Sequence, residues 1–430
     1  MTPDDIQRTY LTLTLLQTLA ASLIWGINTL FLLDAGLTLT GAFVANAAFT
    51  AGMVIFEIPT GVIADARGRR ASFILGAATL LVTTLAYLAL WHFQSNIFWW
   101  ILVSALIGLG FTFFSGATEA WLVDALEATG YEGAIETVFG KGQATMGVAT
   151  LVGTIGGGFL GTVSLGIPYA ARSLLLLVVV AAAWKWMHDI GYEPGSEGSV
   201  TEQARAILKA SVTHGLNNPP VRMFLLAAPF SAGVFIWVFY AFQPYLLELF
   251  GDPNATYLAG IAAAIFATAQ MVGGWSVNLI RRVFRSRTMV LIGAVALGAA
   301  ALVGVGLASL LEIPIGFWVA VSLLAGTALI AAVAAPMQQA YLNSVIPSKQ
   351  RATVLSFTSL TGSAGGVVFQ PALGKVADVW SLGIGYVVAG ALYVLQLPFL
   401  LKVRAMGLDA DAVSPPDRTA AEKPTDEVGP

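Results

Sequence analysis

Glu57, Gly61 and Asp65 recur every four residues in the stretch EIPTGVIADARGRR, so on a helix they share one face. Asp65 is followed at once by Arg67, Arg69 and Arg70, set around Gly68. Farther on, SGATEAWLVDAL carries Glu119 and Asp124. These two point in different directions on a helix and cannot share one task. Two kinds of chemistry suit such residues. A carboxyl group in an apolar segment can take up and release a proton. A carboxylate beside guanidinium groups forms ion pairs that make and break as segments move. Other chemistries lack their parts. The chain has no cysteine and three histidines, His92, His188 and His214, too scattered for a metal cluster. It has no nucleotide-binding loop and no paired loop carboxylates of metal-site type, so neither an enzyme nor a cofactor is indicated. A net charge of −3 gives no sign of a nucleic-acid partner.

Composition sets the elements that must position these residues. Of 430 residues, 57% are hydrophobic and 10% charged, against about 25% charged in soluble domains. That balance fits a polytopic protein whose partner is the lipid bilayer. A spanning helix takes about 20 mostly apolar residues, and about twelve such segments can be read. They begin near Tyr10, Ala42, Ala71, Ile97, Phe139 and Tyr169, then near Val221, Thr256, Thr288, Pro314, Thr353 and Leu382. The acidic start MTPDDIQRTY and the long apolar run behind it point to a first membrane helix rather than a cleaved signal. With both termini cytoplasmic, nearly all lysines and arginines of the short loops fall inside, and only Arg172 and Lys375 fall outside.

Four parts follow. Residues 1–190 hold a first six-helix bundle and 221–404 a second. Between them, 191–220 form a cytoplasmic linker. Its SVTE, Ser199 to Glu202, reads as a capping box for an amphipathic helix with Ala204, Ile207, Leu208 and Val212 on one face. Asn217, Asn218, Pro219 and Pro220 stop that helix. Residues 405–430, rich in Pro, Asp, Glu and Ala, form a disordered cytoplasmic tail.

The two halves repeat. Ile24–Trp25 recurs as Ile236–Trp237, and Glu57, Gly61, Asp65 and Arg69 align with Gln270, Gly274, Asn278 and Arg282. The run Glu119, Ala120, Trp121, Leu122 aligns with Gln339, Ala340, Tyr341, Leu342. Duplicated six-helix bundles are a known transporter plan. In GVIADARGRR, the residues Gly61, Asp65, Gly68, Arg69 and Arg70 keep the spacing of a signature found after a second membrane helix. On these residues the chain resembles the major facilitator superfamily, over about residues 10 to 403. Ala66 departs, standing where the signature has a basic residue, and Arg67 follows one place on. EIPTG, SGATEAWLVDAL and RATVLS are similar to stretches of bacterial members described as drug or metabolite efflux proteins.

The resemblance implies an all-α membrane protein of twelve transmembrane helices in two pseudo-symmetric six-helix bundles. It implies a monomer in the plasma (inner) membrane that works by alternating access. It further implies that Asp65 faces the start of helix eleven and that the basic residues pair with Asp124 at the end of helix four. Gly61, Asp65, Arg67, Gly68, Arg69, Arg70 and Asp124 then form a conformational latch between the bundles. Helices one, four, seven and ten line the central cavity of this fold. Their aromatic and amide groups, Trp25, Asn28, Trp121, Trp237, Tyr240, Gln243, Gln338, Gln339 and Asn343, are the candidates for substrate contact. Glu119 lies on a cavity helix, partly buried beside Trp121, and ranks above Glu57 as the proton-coupling group. Gly153, Gly157, Gly158 and Gly161 on helix five read as close helix packing. No basic residue stands at mid-depth in a cavity helix, which disfavours a strongly anionic substrate. The expectation is a proton-coupled exporter of a hydrophobic or cationic small molecule. The alternative is proton-coupled uptake of a neutral or weakly charged solute.

Overall fold

In a bilayer every backbone polar group must find its partner within the protein. The chain meets this demand with helices. The computed structural model describes residues 1–192 and 211–413, and no strand forms among them. Helix α1 has two segments, Pro3–Trp25 and Asn28–Asp34, bent by 50°. It is followed by α2 (Leu39–Arg67), α3 (Arg69–His92), α4 (Ile97–Ala128), α5 (Ile135–Gly161) and α6 (Gly166–Trp186). The second half holds α7 (Pro219–Phe250), α8 (Thr256–Val283), α9 (Arg287–Leu310), α10 (Ile315–Val345), α11 (Arg351–Val379) and α12 (Leu382–Ala405). The 29 residues of α2 reach about 43 Å at 1.5 Å per residue, beyond a hydrocarbon core of about 30 Å. Side-chain caps start several helices at the loops. Thr38 Oγ1 accepts from Gly41 N–H, and Asn96, Ser286 and Ser381 cap α4, α9 and α12 in the same way.

Each half has its own core. Phe31, Phe73, Trp100 and Tyr169 lie in the first, and Phe224, Trp237, Tyr341 and Tyr386 in the second. The internal repeat is reproduced in the packing. The pairs α1–α5, α2–α4 and α3–α6 of the first half recur as α7–α11, α8–α10 and α9–α12. The halves meet through α2 against α11 and α5 against α8, with α1 against α7 between them. At the α5–α8 contact, a methyl group added to Gly158 would stand 2.9 Å from Gly260 Cα. Gly161 packs on Thr256, and Gly153 and Gly157 pack on α1 at Ser22 and Leu23. The four glycines of α5 thus let backbones approach closely.

Three boundaries differ from the sequence reading. The helical stretch Ser211–Leu216 ends just before Asn217 and Asn218, and Pro219 and Pro220 also open α7, because proline lacks only an N–H that the first helical turn leaves unpaired anyway. The chain after α12 stays bound as far as residue 413. Asp411 accepts from Thr288 N–H at 2.7 Å and from Ser286 and Thr288 hydroxyls, and Arg287 donates to Ala410 C=O. Helix α1 begins at Pro3 rather than near Tyr10, opened by a capping box between Thr2 and Asp5. The Ser199–Glu202 box and Ala204, Ile207 and Leu208 lie outside the described residues, as does the tail from 414.

Candidate functional site

An even number of crossings returns the chain to the face where it began, here called the terminal face. The hydrogen bonds that Asp378, Thr256, Gln370 and Gln243 make between the halves lie away from it. Asp378 at the end of α11 accepts from Leu39 N–H (3.0 Å), Thr40 N–H (2.8 Å) and the Thr40 hydroxyl, at the start of α2. Thr256 donates to Gly158 C=O at 2.9 Å, and Gln370 Nε2 donates to Thr50 at 3.1 Å. Gln243 of α7 donates to Trp25 C=O at 2.8 Å and accepts from Thr29 N–H at 2.7 Å. Towards the terminal face the same four helices separate. Gln143 of α5, Gly61 and Asp65 of α2, Gln270 and Gly274 of α8 and Ser356 of α11 are exposed. The molecule is closed at its far face and parted at its terminal face.

Between the halves lies a cavity of about 520 Å³, within the range of ligand sites. Both halves line it. Trp25, Asn28, Asn46, Phe49, Tyr87, Phe111 and Arg172 come from the first, and Phe239, Tyr240, Phe242, Phe266 and Gln270 from the second. Of the nine residues proposed for substrate contact, Trp25, Asn28 and Tyr240 line it. Gln243 is fully buried just beyond it, tied to the bend of α1. Trp121 does not face the cavity. It is 1% exposed and donates from Nε1 to His188 C=O at 2.7 Å. Trp237 is likewise buried, packed on Phe43 and Tyr386. Gln338 lines a separate hollow within the second half, and Gln339 and Asn343 lie outside the cavity lining. Trp121 and Trp237 pack into the cores of their own halves, and the sequence alone does not distinguish a core-facing from a cavity-facing tryptophan.

Arg172 is the main correction. The charge pattern placed it outside, yet it lies six residues into α6, about 9 Å along the axis. Its side chain is 1% exposed and lines the cavity. Nε donates to Thr84 Oγ1 at 3.1 Å, and the guanidinium carbon sits 5.8 Å from the centroid of the Phe111 ring. No carboxylate pairs with it among the described residues. A charge at the centre of a bilayer helix costs about 2.5–3.5 kcal/mol on insertion scales. The absence of basic residues at mid-depth holds for the four helices assumed to line the cavity, but α6 was not among them.

Neither candidate proton-coupling residue lines the cavity. Glu57 is half-buried on α2 and accepts from Ser115 Oγ at 2.7 Å. Glu119 is exposed rather than buried against Trp121, since residues two apart on a helix point to opposite sides.

The arginine cluster assembles within the first half. Arg69 bonds Asp65 and approaches Asp124 at 3.8 Å. Arg70 N–H donates to Asp189 at 2.9 Å, its Nη2 donates to Trp184 C=O, and its guanidinium lies 5.0 Å from the Trp184 ring centroid. Tyr192 donates to Asp65 C=O at 2.6 Å. Gly68 turns the chain with φ +97° beside the Asp189 carboxylate, a backbone that a side chain would strain. Arg67 is exposed. Asp189 was not singled out from the sequence, because its partner is a backbone amide 119 positions away.

Comparison with known proteins agrees with this architecture. The chain is 24% identical over 361 residues to the uncharacterized MFS-type transporter YxaM of Bacillus subtilis (strain 168), covering 81% of this chain and 83% of that one. In fold it is similar to the nucleoside transporter NupG, with a TM-score of 0.74 at 11% identity, covering 93% and 99% of the two chains. It is also similar to a D-xylose-proton symporter, with a TM-score of 0.69 at 14% identity, covering 94% and 98%. The model of the Major Facilitator Superfamily matches residues 10–370, and the chain belongs to that family of membrane transporters.

Proposed function

We propose that the protein is a proton-coupled secondary transporter that exports a small organic molecule with an apolar or aromatic body by alternating access. The observation that carries this reading is the cavity between two repeated halves, sealed at the far face by cross-half bonds. The excess of lysine and arginine in the loops of the terminal face supports placing that face in the cytoplasm. The cavity then opens inward and is loaded from the cell interior. Glu57 and Glu119, on α2 and α4 outside the cavity lining, are the proposed proton-coupling residues. Proton-driven uptake is the second reading, favoured by the likeness to a D-xylose-proton symporter. The test is a substrate screen in inverted vesicles carrying a pH gradient. Proton efflux on adding a compound supports exchange, and co-movement of protons with the compound supports symport. A chain that moves no compound under either gradient would sink both readings.

A further inference from the structure

We propose that Arg172 and Asn46 form a carboxylate-binding subsite in the cavity, so that the substrate is an amphipathic organic monoanion. This rests on the transport reading above and assigns its substrate class.

The first observation is the state of Arg172. A buried guanidinium normally has an acid beside it. Here Nε alone is committed, to Thr84, and the side chain borders the cavity with no carboxylate paired to it among the described residues. Its fork of donors matches the two oxygens of a carboxylate.

The second observation is independent. Asn46 is 3% exposed and lines the same cavity. Its Oδ1 accepts from Asn28 Nδ2 at 2.8 Å, and Asn28 Oδ1 accepts from Tyr169 OH at 3.0 Å. A tyrosine hydroxyl that donates at one end of this chain fixes both amides. Asn46 Nδ2 is thereby left as a buried donor with no partner, a costly state unless an acceptor arrives. Both free donors call for the same thing, a compact anionic acceptor.

The remaining walls define the body of the ligand. Trp25, Phe49, Phe111, Phe239 and Phe266 surround the cavity, a lining that takes an apolar or aromatic skeleton. Among the described residues, Arg172 is the one Lys, Arg, Asp or Glu on the lining. One positive charge balances one negative charge. A dianion such as a phosphate monoester would be left half neutralised, and a cation would meet only repulsion.

The experiment compares three probes of one skeleton on the purified full chain by titration calorimetry at pH 7: 4-phenylbutyrate, 4-phenylbutanol and 4-phenylbutylamine. The acid is to bind at least about tenfold tighter than the alcohol, the size of a charge-assisted hydrogen bond. Arg172→Gln is to remove that preference by weakening the acid far more than the alcohol, and Arg172→Lys is to fall between. Asn46→Leu is to weaken the acid more than the alcohol. If the wild-type protein binds the alcohol or amine as tightly as the acid, or binds none of the three, the proposal fails. It fails also if Arg172→Gln keeps the preference. Should that variant not fold, the wild-type order and the lysine variant decide. Vesicle flux separates the two claims. Movement of the amine or alcohol but not the acid would overturn the subsite and leave the transporter. Arg172-dependent binding of the acid with no movement would overturn transport and leave the subsite.

Discussion

Gln243 and Thr29, 214 positions apart, are joined by a 2.7 Å hydrogen bond that ties one half of the molecule to the other. The same amide donates to Trp25 C=O. The bend of α1 between Trp25 and Asn28 strands backbone groups that an unbroken helix would pair. One side chain from the opposite half satisfies a donor and an acceptor of that bend. Closure of the far face is therefore coupled to the broken shape of α1.

Gln243→Leu should loosen that closure. Each buried polar group left unpaired costs about 1–3 kcal/mol, so the closed far face should lose about fivefold or more in population. The chain has no cysteine, so spin labels can be placed at will. Cysteines at Thr162 and Lys375, both exposed, should report a longer and broader distance in the variant. An unchanged distribution would mean that water replaces the amide at no cost.

Asp378→Ala removes a carboxylate that caps the first turn of α2 from the other half. Loss of such a cap costs about 0.5–2 kcal/mol, and a negative charge at a helix N-terminus adds to it. The same label pair should show a shift in the same direction, and Asp378→Asn should keep part of the effect. Normal distances in both variants would make the contact incidental.

Asp65→Asn and Asp124→Asn should slow transport at saturating substrate while leaving substrate affinity within a few-fold. Both carboxylates flank Arg69 in the state described here. Their proposed role is to hold the terminal face shut in the opposite state, through α11, so losing them should favour terminal-face opening. Turnover in proteoliposomes equal to that of the unmodified chain would reduce the cluster to a topology signal.

Glu119→Gln should abolish accumulation driven by a pH gradient and spare counterflow exchange, which needs no net proton movement. Glu57, held by Ser115, should matter less. The two glutamine variants, assayed for both activities in one vesicle preparation, rank the carboxyls directly. Gradient-driven accumulation that survives Glu119→Gln but not Glu57→Gln would reverse the order.

Much of the fold could be read from the order of residues. Apolar length and loop charge gave twelve segments because the bilayer enforces both. The paired offsets gave the two halves. Tryptophans were harder. Trp25, Trp121 and Trp237 share composition and helix context, yet only Trp25 lines the cavity, since facing depends on rotation set by tertiary packing. Arg172 was counted among the residues that fall outside because a charge rule counts sequence distance from a helix end and ignores where the side chain turns. Asn46 and Asp189 were invisible for a related reason, as both act through partners brought near only by the fold.

Arg172, the lone charge on the cavity wall among the described residues, has an electrical consequence. On the proposal that an anion binds there, the loaded carrier would cross between its two states with that wall neutral. The carrier without substrate would reorient with Arg172 uncompensated by a bound carboxylate. Membrane voltage then acts on the return of the empty protein rather than on the loaded step, at about 2.3 kcal/mol per 100 mV for a full charge moved. Only the part of the field that the guanidinium traverses counts. Exchange of substrate for substrate should be insensitive to voltage, and net flux should not be.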